Sequence, residues 1–282
     1  MSSLSRRRFL KLGAATLGTA LAGDLYTTRI ELHWLEIVRR PLPVAGLPAG
    51  LAGKTLLQLS DLHIGRRVSD DYLARVFRRA AALAPDVVVH TGDFVSWYPP
   101  TFGKMRRLFE RAPRGTLATL GILGNHDYGR DWSHPEIADE VVATASAFGV
   151  RVLRNEACEI GGLQIAGLDD LWAGRFAPEG VMPRLDPARA AIALSHNPDT
   201  ADLPGWGEFR GWILSGHTHG GQVRLPFLPP PFLPVRNKRY ASGVCDAPGG
   251  RRLYVSRGVG HLAPVRFNVR PEITLFTLTP EA

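Results

Sequence analysis

Gly121-Ile122-Leu123-Gly124-Asn125-His126-Asp127-Tyr128 closes an apolar run, residues 117–123, with a glycine and then three polar side chains. A strand that ends so abruptly in polar groups suits the rim of an open α/β sheet, where the carboxyl ends of strands form the ligand crevice. The amide oxygen of Asn125 can ligate a hard cation, and the adjacent imidazole of His126 can move a proton. Taken alone, the same residues also read as a turn held by local hydrogen bonds. The surrounding chain decides between these readings.

Upstream, residues 55–59 read as a buried strand running into Ser60-Asp61-Leu62-His63, and residues 86–90 as a β-branched strand running into Thr91-Gly92-Asp93. Ser69 is placed to cap a helix between them, with Asp70 and Asp71 in its first turn and Tyr72, Leu73, Val76 and Phe77 on one face. A helix over residues 104–111 leads into the central stretch, and Ser133 with Glu136 makes a capping box for a helix reaching Phe148. This alternation predicts βαβ units with right-handed crossovers. Beyond Arg151 the texture changes to short strands at 152–154, 163–166, 191–194, 212–214, 253–255 and 273–278, with one short helix expected near 187–190. Before residue 54, residues 30–38 alternate like a half-buried strand, followed by a Pro/Gly-rich joint over 41–53. The expected class is α/β, with two packed sheets flanked by helices.

Five apolar runs end in groups that can bind a metal: Asp61-Leu62-His63, Gly92-Asp93, Gly124-Asn125-His126, Ser195-His196-Asn197 and Gly216-His217-Thr218-His219. Residues two apart in extended chain point the same way, so Asp61 with His63, and His217 with His219, can each aim two donors at one centre. Five of the nine histidines fall in these turns, a concentration that scattered structural histidines do not explain. Oxygen plus imidazole without thiolate suits Mn, Fe, Zn or Co. Seven candidates (Asp61, His63, Asp93, Asn125, His196, His217, His219) exceed one ion's needs and suit two divalent ions about 3.5–4 Å apart sharing a carboxylate. Such a pair polarises a phosphoryl group and generates hydroxide at neutral pH.

In this order the motifs resemble the calcineurin-like metallophosphoesterases, whose pattern D-x-H, G-D, G-N-H-D, H, G-H-x-H is met from Asp61 to His219. Residues 254–260 and 264–267 extend the likeness toward the YkuE-like exported branch, which is similar to the hydrolases that cleave the pyrophosphate of UDP-diacylglucosamine. The resemblance implies a four-layer α/β/β/α sandwich of two mixed sheets. It implies that Asp61, His63 and His219 hold one ion, that Asn125, His196 and His217 hold the other, and that Asp93 bridges them. His126 would donate a proton to the leaving oxygen or stabilise the phosphoryl charge, and Asp127 would orient His126. The activity implied is hydrolysis of phosphomono- or phosphodiesters by metal-generated hydroxide. Alternatives are a pyrophosphohydrolase of a lipid or sugar nucleotide and a non-catalytic metal-binding scaffold.

Ser5-Arg6-Arg7-Arg8-Phe9-Leu10-Lys11 resembles a twin-arginine export signal, followed by a weakly apolar run and an Ala20-Leu21-Ala22 cleavage site. The expected organisation is a signal over 1–22, an N-terminal strand and linker over 23–53, and a catalytic domain over 54–282. The expected location is the periplasm or cell envelope, reached through the twin-arginine export machinery. Of the net charge of +8, Arg6, Arg7, Arg8 and Lys11 carry four, leaving 30 basic against 26 acidic residues. No basic cluster interleaves with aromatics, which disfavours nucleic acid and favours a phosphorylated small-molecule or lipid substrate. Cys158 and Cys245 permit a disulfide without demanding one.

Among the remaining polar residues, His90 is expected to pack within its strand and Asp169-Asp170 to form a turn. Arg257 and Arg266, in the tail that carries the family likeness, are anion candidates. The proline-stiffened run of residues 225–234 starts soon after His219. It reads either as a loop packed on its own domain or as an apolar lip that touches a membrane, with Arg236, Lys238 and Arg239 beside it.

Overall fold

A computed structural model describes residues 6–96 and 101–281; Met1 to Ser5, the start of the export-signal pattern, lie outside the described residues. In chain order the strands are β1 (Glu36–Val44), β2 (Thr55–Leu59), β3 (Val87–Thr91), β4 (Ala118–Ile122), β5 (Arg151–Val152), β6 (Glu156–Ile160), β7 (Leu163–Gly167), β8 (Ala191–Leu194), β9 (Trp212–Ser215), β10 (Gly243–Ala247), β11 (Arg251–Val255) and β12 (Glu272–Pro280). The α-helices are α1 (Arg6–Leu25), α2 (Asp70–Ala81), α3 (Phe102–Phe109) and α4 (Pro135–Ala147). Two mixed six-stranded sheets result, ordered β1-β12-β2-β3-β4-β5 and β10-β11-β9-β8-β7-β6.

The period-two alternation of the buried strands explains the layering. In β2, Leu56 faces the other sheet while Leu57 and Leu59 face the helices. Leu56, Val87, Val89 and Ile122 meet Ile192, Leu194, Leu214 and Tyr254 in the core between the sheets. On the outer face of the first sheet, Tyr72, Leu73, Val76 and Phe77 of α2 pack with Met105 and Phe109 of α3 and Val141 of α4. The outer face of the second sheet is covered by Val181, Met182, Trp206 and Tyr240. The helices of that layer are short and 3₁₀, at Pro178–Gly180, Met182–Arg184 and Pro198–Asp202.

Several local expectations change. The N-terminal strand is β1 and lies six residues later than the 30–38 alternation suggested, because residues 26–33 wind into helical turns. Pro41 and Pro43, assigned to a joint, sit inside β1, which among the described residues pairs only with β12. Two prolines at alternate positions remove donors only from the strand's open side, which an edge strand tolerates. There the Pro43 carbonyl instead accepts the indole N–H of Trp212 at 2.7 Å. His134, not Ser133, precedes Pro135 at the start of α4, and it reaches Glu136 at 2.9 Å. No helix forms over 187–190, where the chain makes a turn. Ser69 does precede α2, with no capping bond from its side chain. Helix α1 runs without a break through the Ala22–Gly23 point, and no described helix is long and apolar enough to cross a membrane. Cys158 in β6 and Cys245 in β10 are free thiols on opposite edges of the second sheet, five strand spacings apart. That separation is roughly 24 Å, far beyond disulfide reach.

Candidate metal centre

Parallel neighbours β2, β3 and β4 of one sheet and β8 and β9 of the other end on the same rim. The loop after each of these strands delivers its polar residues there. Asp61 and His63 follow β2, Asp93 follows β3, Asn125 follows β4, His196 follows β8, and His217 and His219 follow β9. All seven candidates are buried. The turns are tight: Asp61, His63, Asp93, His217 and His219 all adopt positive φ, between 48° and 70°. Non-glycine residues reach that region at a cost, and such strain collects at functional sites. Two glycines make room for the close approach. A Cβ on Gly124 would lie 2.8 Å from His196 Nε2 and closer still to Asp93 Oδ1, and one on Gly216 would overlap Ser60 and Asp61.

The donor atoms converge in two groups that meet at Asp93. In the first, His63 Nε2 lies 3.0 Å from His219 Nε2, His219 Nε2 lies 3.3 Å from Asp61 Oδ1, and His63 Nε2 lies 3.5 Å from Asp93 Oδ2. In the second, His196 Nε2 lies 3.3 Å from the same Asp93 Oδ2. His217 Nδ1 lies 3.3 Å from His196 Nε2 and 3.0 Å from Asn125 Oδ1. Asp61, His63 and His219, and likewise Asp61, Asp93 and His196, have donor atoms close enough to share an ion.

Backbone carbonyls fix two of the imidazoles. Thr91 O sits 2.7 Å from His196 Nδ1, and Pro234 O sits 2.9 Å from His217 Nε2. A carbonyl only accepts, so each ring donates an N–H outward and turns its other nitrogen inward. Burial acts to lower His196, but Asp93, Asp61 and Asp170 raise it well above the ordinary imidazole value, so of the two only His217 keeps a bare lone pair there. His217 Nδ1 therefore faces Asn125 Oδ1 lone pair to lone pair, a contact that a cation between the atoms would make favourable. A divalent ion fits this donor set, because imidazole nitrogen and carboxylate or amide oxygen are its usual ligands.

The electrostatics agree with a cluster built around positive charge. Burial pushes the Asp61 carboxyl up to about 7, with Asp93 adding to the rise against His196. For Asp93 burial acts upward too, yet His196, His126 and His63 together hold its carboxyl well below the usual range. Burial lowers His63 and His219 well below the ordinary imidazole value and lowers His217 to about 3. These three are neutral at neutral pH and free to ligate.

His126 lies beside the cluster, its backbone N–H donating to Asp93 Oδ1 at 2.9 Å and its ring edge-on to His63 at 5.1 Å. Asp127 does not touch that ring. Its carboxylate accepts the backbone N–H groups of Gly124 at 2.9 Å and Val95 at 3.0 Å, so it braces the turn that carries His126 instead of orienting the imidazole directly. Arg257 and Arg266, expected to meet an anion, are engaged inside the protein. Arg257 pairs with Glu272 and Glu36, and Arg266 is wholly buried with Nη2 donating to the carbonyls of Arg257, Gly258 and Gly260. His90 is packed between Phe94 and Phe109, as expected. Asp170 forms a turn to Ala173, also as expected.

Two neighbours had no sequence signal. Trp172 sets its ring edge-on to His217 at 4.3 Å, and Pro234 supplies the carbonyl that fixes the His217 tautomer. Both come from loops remote in sequence, and neither residue type announces a role.

Comparison with known proteins places this geometry. The profile of the family described as calcineurin-like phosphoesterase matches residues 54–221. The chain is 34% identical to phosphodiesterase YaeI of Escherichia coli, over 98% of this chain and 99% of that protein. It is 35% identical to the uncharacterized metallophosphoesterase YkuE of Bacillus subtilis, over 99% of each. It is 28% identical to UDP-2,3-diacylglucosamine pyrophosphatase LpxG of Chlamydia trachomatis, over 95% of this chain and 98% of that protein.

Proposed function

The chain belongs to the calcineurin-like phosphoesterase family and is a metal-dependent hydrolase of phosphoric esters, and from that premise we propose an exported phosphodiesterase with a two-ion centre. The observation that carries the two-ion reading is the pair of convergent donor groups sharing Asp93 Oδ2. Asp61, His63 and His219 would hold one ion and Asn125, His196 and His217 the other, with Asp93 serving both donor groups. When bound, the ions neutralise phosphoryl charge and acidify water at neutral pH.

The chain's own residues do the rest. Thr91 O and Pro234 O keep His196 Nε2 and His217 Nδ1 directed inward. His126 is kept below the ordinary imidazole value, chiefly by burial and against Asp93. It is therefore neutral near neutral pH and stabilises the leaving oxygen by a hydrogen bond from one N–H, without giving up the proton. The turn braced by Asp127 fixes where that N–H points. The test is a panel of phosphomonoesters, phosphodiesters and pyrophosphates assayed with and without chelator. Chelation should abolish turnover, and diesters should be preferred; chelator-resistant turnover would overturn the reading.

A second reading, cleavage of the pyrophosphate of a lipid-linked nucleotide, is supported by the LpxG similarity and by an exposed apolar surface. Phe227, Leu228 and Phe232 project from the proline-stiffened loop, whereas Leu233 is buried and anchors it. Leu17, Leu21 and Leu25 of α1 are exposed as well. In this reading the arginine-rich N-terminus directs export and is then kept as an anchor, so that these side chains rest on a membrane surface. Replacing Phe227 and Phe232 by Ser should weaken binding to anionic lipid vesicles at unchanged thermal stability; loss of both together would make the loop part of the core.

A further inference from the structure

The two donor groups are unequal in charge. The first brings two carboxylates, Asp61 and Asp93, whereas the second brings only the Asp93 that it shares. Asn125 carries no charge, and His196 and His217 ligate only as neutral imidazoles. A divalent ion held by such donors in a buried site is poorly balanced, because little solvent is present to answer its charge. A further anion beside this group would correct that, and the chain holds one that nothing above employs.

Asp170 is that anion. Strand β7 pairs in parallel with β8, Gly167 beside Leu194, and the pairing runs on past the strand as the Leu168 N–H donates to Leu194 O at 2.9 Å. Asp170 therefore leaves the same rim as His196. Contacts on either side fix its place. Its backbone N–H donates to Asp169 Oδ1 at 2.8 Å, and that oxygen also accepts the hydroxyl of Tyr128, three residues after Asn125, at 2.6 Å. Two residues beyond Asp170, Trp172 lies against the His217 ring. The loops that carry Asn125, His196 and His217 thus frame it.

The carboxylate is 1% exposed, and its two oxygens differ. Oδ1 accepts the Ala173 N–H at 2.8 Å, whereas Oδ2 has no hydrogen-bond partner among the described residues. Neighbouring Asp169 shows the contrast, since both its oxygens meet the Tyr128 hydroxyl and Arg154 Nε lies 3.2 Å away. A buried carboxylate oxygen left unanswered is costly unless positive charge stands near it. The Asp170 carboxyl is raised to about 7 by burial, against the pull of His196. Its oxygens fall outside the groups close enough to share an ion, so it is not itself a ligand.

We propose that Asp170 is the counter-charge of the second ion: it balances the neutral donors Asn125, His196 and His217 and so sets how tightly that ion is held. The proposal rests on the two-ion reading above. Loss of a group that supports metal ligands from behind weakens the metal by about 10–100-fold.

The test is release of metal from the purified, metal-loaded protein into a series of chelator buffers, followed by elemental analysis. Asp170→Asn keeps an oxygen for the Ala173 amide and removes only the charge. It should lose one of two ions at a free-metal concentration about 10–100-fold higher than the wild type does, and hold the other as before. In His217→Ala protein, already short of a ligand to the second ion, adding Asp170→Asn should release no further ion. Melting temperatures with metal in excess separate a lost charge from a lost fold. Asp170→Ser, which keeps a hydroxyl oxygen for the same amide, decides the matter if the Asn variant melts early. Wild-type release of both ions from a folded Asp170 variant would overturn the proposal, as would equal weakening of both. A wild-type protein that holds one ion with all seven ligands intact would instead strike the two-ion reading.

Discussion

His90 gives a prediction whose size follows from its surroundings. Its ring lies 5.2 Å from Phe94 and 5.8 Å from Phe109 by centroids, and neither nitrogen has a hydrogen-bond partner among the described residues. Burial alone lowers it from 6.5 to about 3. The unfolded chain takes up a proton here below the ordinary value, whereas the folded chain takes none until near the lowered one. Acid therefore favours unfolding, and the stability contributed by a neutral His90 is full above about pH 6.5 and is lost toward about pH 3. At about pH 5 the loss is on the order of 2 kcal/mol, from about 1.5 pH intervals at 1.36 kcal/mol each. For a chain of this length that is roughly 3 °C in melting temperature. His90→Leu removes the titration and both unmet nitrogens, so its melting temperature should fall less than the wild type's between about pH 7 and pH 5. The assay is paired thermal melts across that range, where the other buried histidines contribute equally to both proteins. Parallel curves would refute the assignment of His90 as a buried neutral imidazole. The effect reaches the site, because His90 is three residues from Asp93 on the same strand and loop.

Other predictions concern the chemistry. His126→Ala should retain its metal while turnover falls by about 10²–10³-fold on alkyl esters and much less on esters with good leaving groups; an equal fall on both, measured as a kcat series, would remove its hydrogen bond from the leaving oxygen. Gly124→Ala should lower metal content and activity together, because its Cβ has no room beside Asp93 and His196; metal analysis and kcat measured on one preparation test this. Asp127→Asn keeps one oxygen for the two amides that the carboxylate now serves. It should cost about 1–3 kcal/mol in stability, read by denaturant melts, and an unchanged midpoint would show that the turn is held by other groups.

Much of this was legible in the sequence, for identifiable reasons. Strands β2, β3, β4, β8 and β9 are buried on both faces and therefore read as continuous apolar runs. Each ends where polar residues must take over, so the seven donors stood out. The edge strands β6 and β10 escaped because they are half exposed and their sequences, Glu-Ala-Cys-Glu-Ile and Gly-Val-Cys-Asp-Ala, carry little contrast. Arg257 and Arg266 were misjudged because a guanidinium facing backbone carbonyls and one facing phosphate look the same in a sequence. The contact of Trp172 with His217 was invisible, since the two residues come from separate loops and meet only in the folded chain.

The central claim is that seven donors hold two ions with Asp93 between them, and it is tested most directly by counting metal per chain. Elemental analysis of protein purified without chelator should find close to two divalent transition-metal ions per chain. Asp93→Ala should lose more metal than any other single ligand substitution, because both donor groups include Asp93 Oδ2. One tightly held ion with all seven ligands intact, or an Asp93→Ala protein that loses no more metal than His63→Ala, would contradict it.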